Sequence, residues 1–184
     1  MTGENGILPP SGLAPGPGDA GMCRLVTSLA GTGALAERLR PLLVAGDVVA
    51  LWGDLGAGKT AFVRALIRAA TGTEEEVPSP TFTLVQTYEP PEGPPFWHFD
   101  LYRLARPEEV WELGLEDALN EAVTLIEWPV RLGAELPPVR LDVGIAFRPE
   151  AGPEARQVVL LGRGPGWAGR IARLAADDAG EEGP

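Results

Sequence analysis

The segment Gly53-Asp54-Leu55-Gly56-Ala57-Gly58-Lys59-Thr60 joins a short apolar run, 47–52, to a stretch with helical periodicity. It follows the pattern G-x-x-x-x-G-K-[ST], in which glycines let consecutive backbone N–H groups turn toward one anion. The start of the next helix adds its partial positive charge. The apolar run reads as a strand covered on both faces. A helix is expected over about 59–71, with Phe62/Leu66 and Val63/Ile67 paired at four-residue spacing and Gly72 suited to its C-terminal cap. In that setting Lys59 reaches the β- and γ-phosphates of a nucleotide, and the Thr60 hydroxyl ligates Mg²⁺. Mg-ATP on residues 53–60 is the first expectation.

Lysine usage isolates the same position. Of 15 basic residues, 14 are Arg and only Lys59 is Lys. A site that needs a compact ammonium rather than a planar guanidinium fork resists a general drift toward arginine.

The rest of the composition narrows the setting. A length of 184 residues suits one core, and no apolar run approaches the ~20 residues of a membrane span. No basic-then-apolar leader pattern opens the chain. One cysteine (Cys23) and one histidine (His98) make neither an internal disulfide nor a Cys/His zinc site, so a reduced cytoplasmic setting is expected. Net charge is -11. Residues 1–20 and 174–184 carry six acids and no base, and the remaining body has 15 bases against 20 acids. Such a body is a poor stand-alone ligand for nucleic acid, whose non-specific affinity comes from cations neutralising phosphates.

Residues 1–20 hold nine Gly or Pro and read as a disordered tail, as does the acidic stretch 174–184. Between them, 21–173 reads as one domain. A first strand is expected over 22–27 and an amphipathic helix over 31–43, with Leu35, Leu39 and Leu42 on one side and Thr32 as its N-cap. Strands 82–88 and 96–102 flank the Pro/Gly-rich turn 89–95 as an antiparallel hairpin. Residues 107–119 read as helical with a break at Gly114. Residues 123–127 read as another buried strand, and 139–147 with 157–161 as a second hairpin. The class is α/β, a mixed and partly antiparallel sheet flanked by helices.

A phosphate loop of this kind needs an acid at the end of a neighbouring strand to hold Mg²⁺, directly or through water. Two fit: Asp100 after Phe96-Trp97-His98-Phe99, and Glu127 after Val123-Thr124-Leu125-Ile126. Ser79-Pro80-Thr81, after the acidic residues 74–76, carries hydroxyls where a switch could sense the γ-phosphate, but on chemistry alone an ordinary Ser-Pro turn is the favoured reading. Trp128 reads as a core or interface aromatic beside Glu127, and His98 as a packed strand residue.

Together these blocks resemble the bacterial TsaE (YjeE) family, the ATPase component of tRNA threonylcarbamoyladenosine synthesis. The resemblance runs from about Ala34 to Leu161. It rests on the loop 53–60, Ser79-Pro80-Thr81-Phe82-Thr83-Leu84-Val85 with Tyr88, His98-Phe99-Asp100-Leu101-Tyr102-Arg103-Leu104, and Ile126-Glu127-Trp128-Pro129. It implies a P-loop NTPase-like fold, Thr60 and Glu127 as Mg²⁺ ligands, and Asp100 as the Walker B-type acid. It also implies Ser79 and Thr81 as a switch, Trp128 beside the nucleotide, and Thr32 and Arg156 as base contacts. The implied partners are the TsaB and TsaD proteins, with tRNA reached only through their complex and modified at adenosine 37.

Other classes stay in view. A small-molecule P-loop kinase shares the loop but commonly adds a basic lid, and no Arg-rich insertion is present. A GTPase that reads guanine through Asn-Lys-x-Asp is excluded by the single lysine. A nucleotide-gated assembly protein, in which binding rather than hydrolysis does the task, fits the residues as well as an ATPase does. A Ser-His-Asp hydrolase would have only His98 to use, without a nucleophile elbow.

Overall fold

Runs of apolar residues with no polar break form the middle of the sheet. In the computed structural model, which describes residues 13–72 and 77–179 (side chains to 176), β2 (Val48–Trp52) and β5 (Val123–Glu127) lie side by side and nearly every residue is buried. The other strands are β1 (Ala20–Val26), β3 (Val85–Tyr88), β4 (Phe96–Asp100), β6 (Arg140–Phe147) and β7 (Arg156–Arg163). The sheet order is β1-β7-β6-β2-β5-β4-β3. Strands β6, β2, β5 and β4 run parallel, while β3 and the β7 and β1 pair close the two sides antiparallel. The mixed sheet and both expected hairpins are therefore present.

Strand alternation splits the core between the two faces. Val49, Leu51, Val123 and Leu125 face a cluster with α1 (Leu29–Leu39), α2 (Lys59–Thr71) and α4 (Trp167–Ala179). Val48, Phe99 and Ile126 face the other way, against the 3-10 segment Pro107–Leu113, α3 (Leu115–Glu121) and Leu132. Gly114, at φ 85°, makes the break between the 3-10 segment and α3. Helix α2 has the expected span and ends on Gly72 in the left-handed conformation.

Several expectations move. Helix α1 starts earlier and is capped by Ser28, whose Oγ accepts from Gly31 N at 3.1 Å. Thr32 is not the cap; it is buried one turn in, and its hydroxyl turns back to Ser28 O at 3.5 Å. The expected continuation to 43 gives way at Pro41 to a 3-10 turn over Arg40–Leu42, because proline lacks the N–H that would extend the ladder. The strand expected from 82 begins only at Val85. Leu84 takes a left-handed φ of 65°, and its N–H bonds Pro80 O, so 81–84 turn rather than extend.

Parts of both expected tails belong to the fold. Leu13 is buried, and Arg163 Nη1 donates to Ala14 O and to Asp19 Oδ2 at 2.9 and 2.6 Å, which straps 13–19 to β7. Residues 174–179 complete α4, where Trp167, Ile171 and Leu174 recur at helical spacing and are buried. Residues 1–12 and 180–184, and the acids at 74–76, lie outside the described residues.

Candidate functional site

The parallel strands β2, β4 and β5 end at one edge of the sheet, so whatever follows each of them converges. Leu51 pairs with Glu127 and Asp100 pairs with Glu127 in register. Gly53 leaves β2 at φ 144°, and a Cβ there would sit 2.3 Å from Ile145 O, so only glycine turns the chain at this point. The loop then wraps into the N-terminus of α2. It borders a cleft of about 380 Å³ lined by Gly56, Gly58, Lys59, Thr60, Asp100 and Glu127 among others.

Thr60 Oγ1 donates to Glu127 Oε2 at 3.0 Å, and the other carboxylate oxygen, Oε1, lies 2.9 Å from His98 Nε2. Asp100 is engaged separately. Ser79 Oγ and Thr81 Oγ1 both donate to its Oδ2, at 2.8 and 2.7 Å, and Tyr102 N donates to Oδ1 at 3.2 Å. The structure thus brings the Ser79 and Thr81 hydroxyls onto one of the two acids and Thr60 onto the other.

Lys59 is 4 % exposed, and Nζ donates to Gly53 O and Asp54 O at 2.8 and 2.9 Å. Its ammonium stands 3.9 Å from the centroid of the Trp128 ring, which in turn lies 5.0 Å from Tyr102. Burial lowers the Lys59 pKa from its ordinary value, opposed by the charges of Glu127, Asp100 and Asp54. Trp128 holds φ 60° and ψ 48°, a conformation costing about 1–2 kcal/mol for a residue with a Cβ. Burial of its neighbours Glu127 and Pro129 fixes the chain on either side.

Of the two expected base contacts, Arg156 touches the loop. Its Nε donates to Ala57 O at 3.0 Å, and its guanidinium lies 4.3 Å from the Phe147 ring centroid. Thr32 does not line the cleft. Leu55, Asp54 and Gly56 are exposed on the outer turn of the loop, whereas Ala57 is buried beneath it. His98 is the residue that sequence reasoning undervalued. The available signal was period-two alternation, which puts His98 and Asp100 on one face of β4 and, across the pair, on the Glu127 face of β5.

Residues 26–158 match the family model described as "Threonylcarbamoyl adenosine biosynthesis protein TsaE". The chain belongs to the TsaE family. A Rickettsia felis "tRNA threonylcarbamoyladenosine biosynthesis protein TsaE" is 45% identical over 111 residues, 60% of this chain and 62% of that protein. The chain thus spans about three fifths of the length of that relative. A Streptomyces coelicolor TsaE is 38% identical over 137 residues, 73% of this chain and 92% of its own length. The crystal structure of a Bacillus YdiB superposes with a TM-score of 0.70 at 26% identity, covering 87% of this chain and 97% of that one. The mixed α/β fold is therefore shared with that structure, and no described helix is long and apolar enough to cross a membrane.

Proposed function

We propose that this TsaE-family chain binds Mg-ATP on residues 53–60, hydrolyses it slowly, and serves threonylcarbamoyladenosine formation at tRNA position 37 with TsaB and TsaD. The observation that carries the reading is the 3.0 Å contact between Thr60 Oγ1 and Glu127 Oε2 at the mouth of a glycine loop. Both are hard oxygen donors. Among the described residues no three or more His, Cys, Asp or Glu side chains form a metal cluster. That fits Mg²⁺, which takes one or two protein oxygens and completes its set with phosphates and water.

Held by Thr60 and Glu127, Mg²⁺ would supply charge neutralisation at the nucleotide's phosphates. The chain does the rest. Lys59, now on the carbonyls of Gly53 and Asp54, would give its ammonium to the phosphates. Glu127 and Thr60 would hold the ion through their facing oxygens. Asp100 holds Ser79 and Thr81, so a phosphate bound beside them would be felt by the 79–84 turn. Arg156 steadies the loop from Ala57 and would flank the base.

No side chain in the cleft is placed as an unencumbered base for the attacking water: Asp100 and Glu127 are each held by hydroxyls of the protein. Slow turnover by the isolated chain follows, with partners raising it by positioning. The test is steady-state ATP hydrolysis by the chain alone, then with TsaB and TsaD, then with tRNA added. A slow basal rate that rises with the pair is expected. A flat rate across all three would overturn the partner-stimulated mechanism, and rapid turnover with a small phosphate acceptor would favour a kinase.

A further inference from the structure

The only histidine of the chain is fully buried, and it points at the site rather than away from it. His98 lies on β4 two residue pairs before Asp100, opposite Leu125, so its ring reaches diagonally across the β4–β5 ladder to Glu127. Nε2 stands 2.9 Å from Oε1, while Oε2 of the same carboxylate faces the Thr60 hydroxyl at 3.0 Å. A carboxylate accepts, so Nε2 carries the hydrogen. Nδ1 meets no hydrogen-bonding group among the described residues. The ring therefore has one polar task in the fold, and that task is Glu127.

We propose that His98 is a positioning residue for the metal. It holds one oxygen of Glu127 so that the other is presented, beside Thr60, to Mg²⁺ on the nucleotide. The inference rests on the Mg-nucleotide reading of this site. A carboxylate on a rotatable side chain that must release a hydroxyl and accept an ion gains most from a partner fixing its other oxygen. Such outer hydrogen bonds commonly carry ~10–100-fold of metal affinity. Simple packing would need only an apolar side chain, and the neighbours in the same core, Phe96, Val123 and Leu125, are of that kind.

The test measures metal as well as turnover, on the full chain. Nucleotide binding by titration calorimetry is followed with and without Mg²⁺, Mn²⁺ binding to the ADP complex by electron paramagnetic resonance, and ATP hydrolysis against Mg²⁺ concentration. His98→Leu is expected to leave metal-free ADP affinity near the wild-type value and to weaken Mn²⁺ and Mg²⁺ by about 10-fold or more. His98→Gln, whose amide reaches the Nε2 position, restores most of the loss, whereas the shorter His98→Asn does not. In a Glu127→Gln background His98→Leu adds little. Should His98→Leu not fold, the Gln and Asn variants decide by the same contrast. Unchanged metal dependence in His98→Leu, equal behaviour of Gln and Asn, or an equal loss of metal-free binding would overturn the proposal. A wild-type chain with no Mg²⁺-dependent nucleotide binding would instead overturn the reading of the site itself.

Discussion

The Thr81 hydroxyl stands 2.7 Å from Asp100 Oδ2 and shares that oxygen with Ser79. With one hydrogen apiece, both hydroxyls donate to the acid, and their own 2.9 Å separation follows from the shared acceptor. The 79–84 turn is thereby latched to the end of β4. We expect Thr81→Val to lower hydrolysis about 10-fold, on the order of 1.4 kcal/mol of barrier, with ATP binding little changed. Parallel calorimetry and single-turnover rates test this, and a variant as fast as wild type would remove the turn from the mechanism.

Binding of Mg-ATP is expected to depend on Lys59. Lys59→Ala leaves the phosphates without a counter-charge, and Lys59→Arg places a planar fork where a 4 % exposed ammonium fits. Both are expected to lose Mg-ATP binding in isothermal titration. Wild-type affinity in either one would sink the loop assignment.

The two acids are expected to divide the work. Asp100→Asn and Glu127→Gln keep volume and remove charge, and each is expected to cut turnover at least ~100-fold, about 2.7 kcal/mol. Mg²⁺ dependence should suffer more in Glu127→Gln, because Glu127 is the acid that already touches Thr60. Equal metal dependence in the two variants, read from Mg²⁺ titrations, would exchange or merge their roles.

Helix α4 packs on a glycine. A Cβ at Gly162 would lie 2.2 Å from Trp167 Cβ, so Gly162→Ala must push the helix off β7. Overpacking of this kind costs roughly 1–3 kcal/mol, and a lower melting temperature with ATP binding retained is the expected result. An unchanged melting curve would mean that α4 contributes little to the core.

Acid should loosen the strap at 13–19. The Gly16 N–H bond holds the Asp19 carboxyl below its ordinary pKa of 3.8 against the opposing effect of burial, and the Arg163 guanidinium adds to the lowering. A folded-state pKa below the unfolded one gives stability that is present above the unfolded value and is lost as pH falls through the folded one. The melting-temperature gap between wild type and Asp19→Asn should therefore be open at pH 7 and close on acidification below about pH 4. A gap that is constant with pH would show that the Asp19 charge is not what the strap uses.

Much of this molecule was legible from local signals. The loop 53–60, the strands at β2 and β5, the helix α2 with its Gly72 cap and the two hairpins follow from glycine conformational freedom, runs of buried residues and four-residue spacing, which act within a few residues. Asp100 and Glu127 could be singled out because an apolar strand ending in an acid is itself a local pattern. Boundaries failed where a nearby choice competed: Ser28 against Thr32 for the cap, Pro41 against continuation of α1, and a turn at 81–84 against β propensity. Helix α4 was hidden because its small and acidic residues resemble a tail until Trp167 finds Gly162 on β7. Which acid meets Thr60, which one holds Ser79 and Thr81, and that His98 faces Glu127 depend on strand order and register. Those pairings join residues from 19 to 67 positions apart, and no pattern read along the chain fixes such distances.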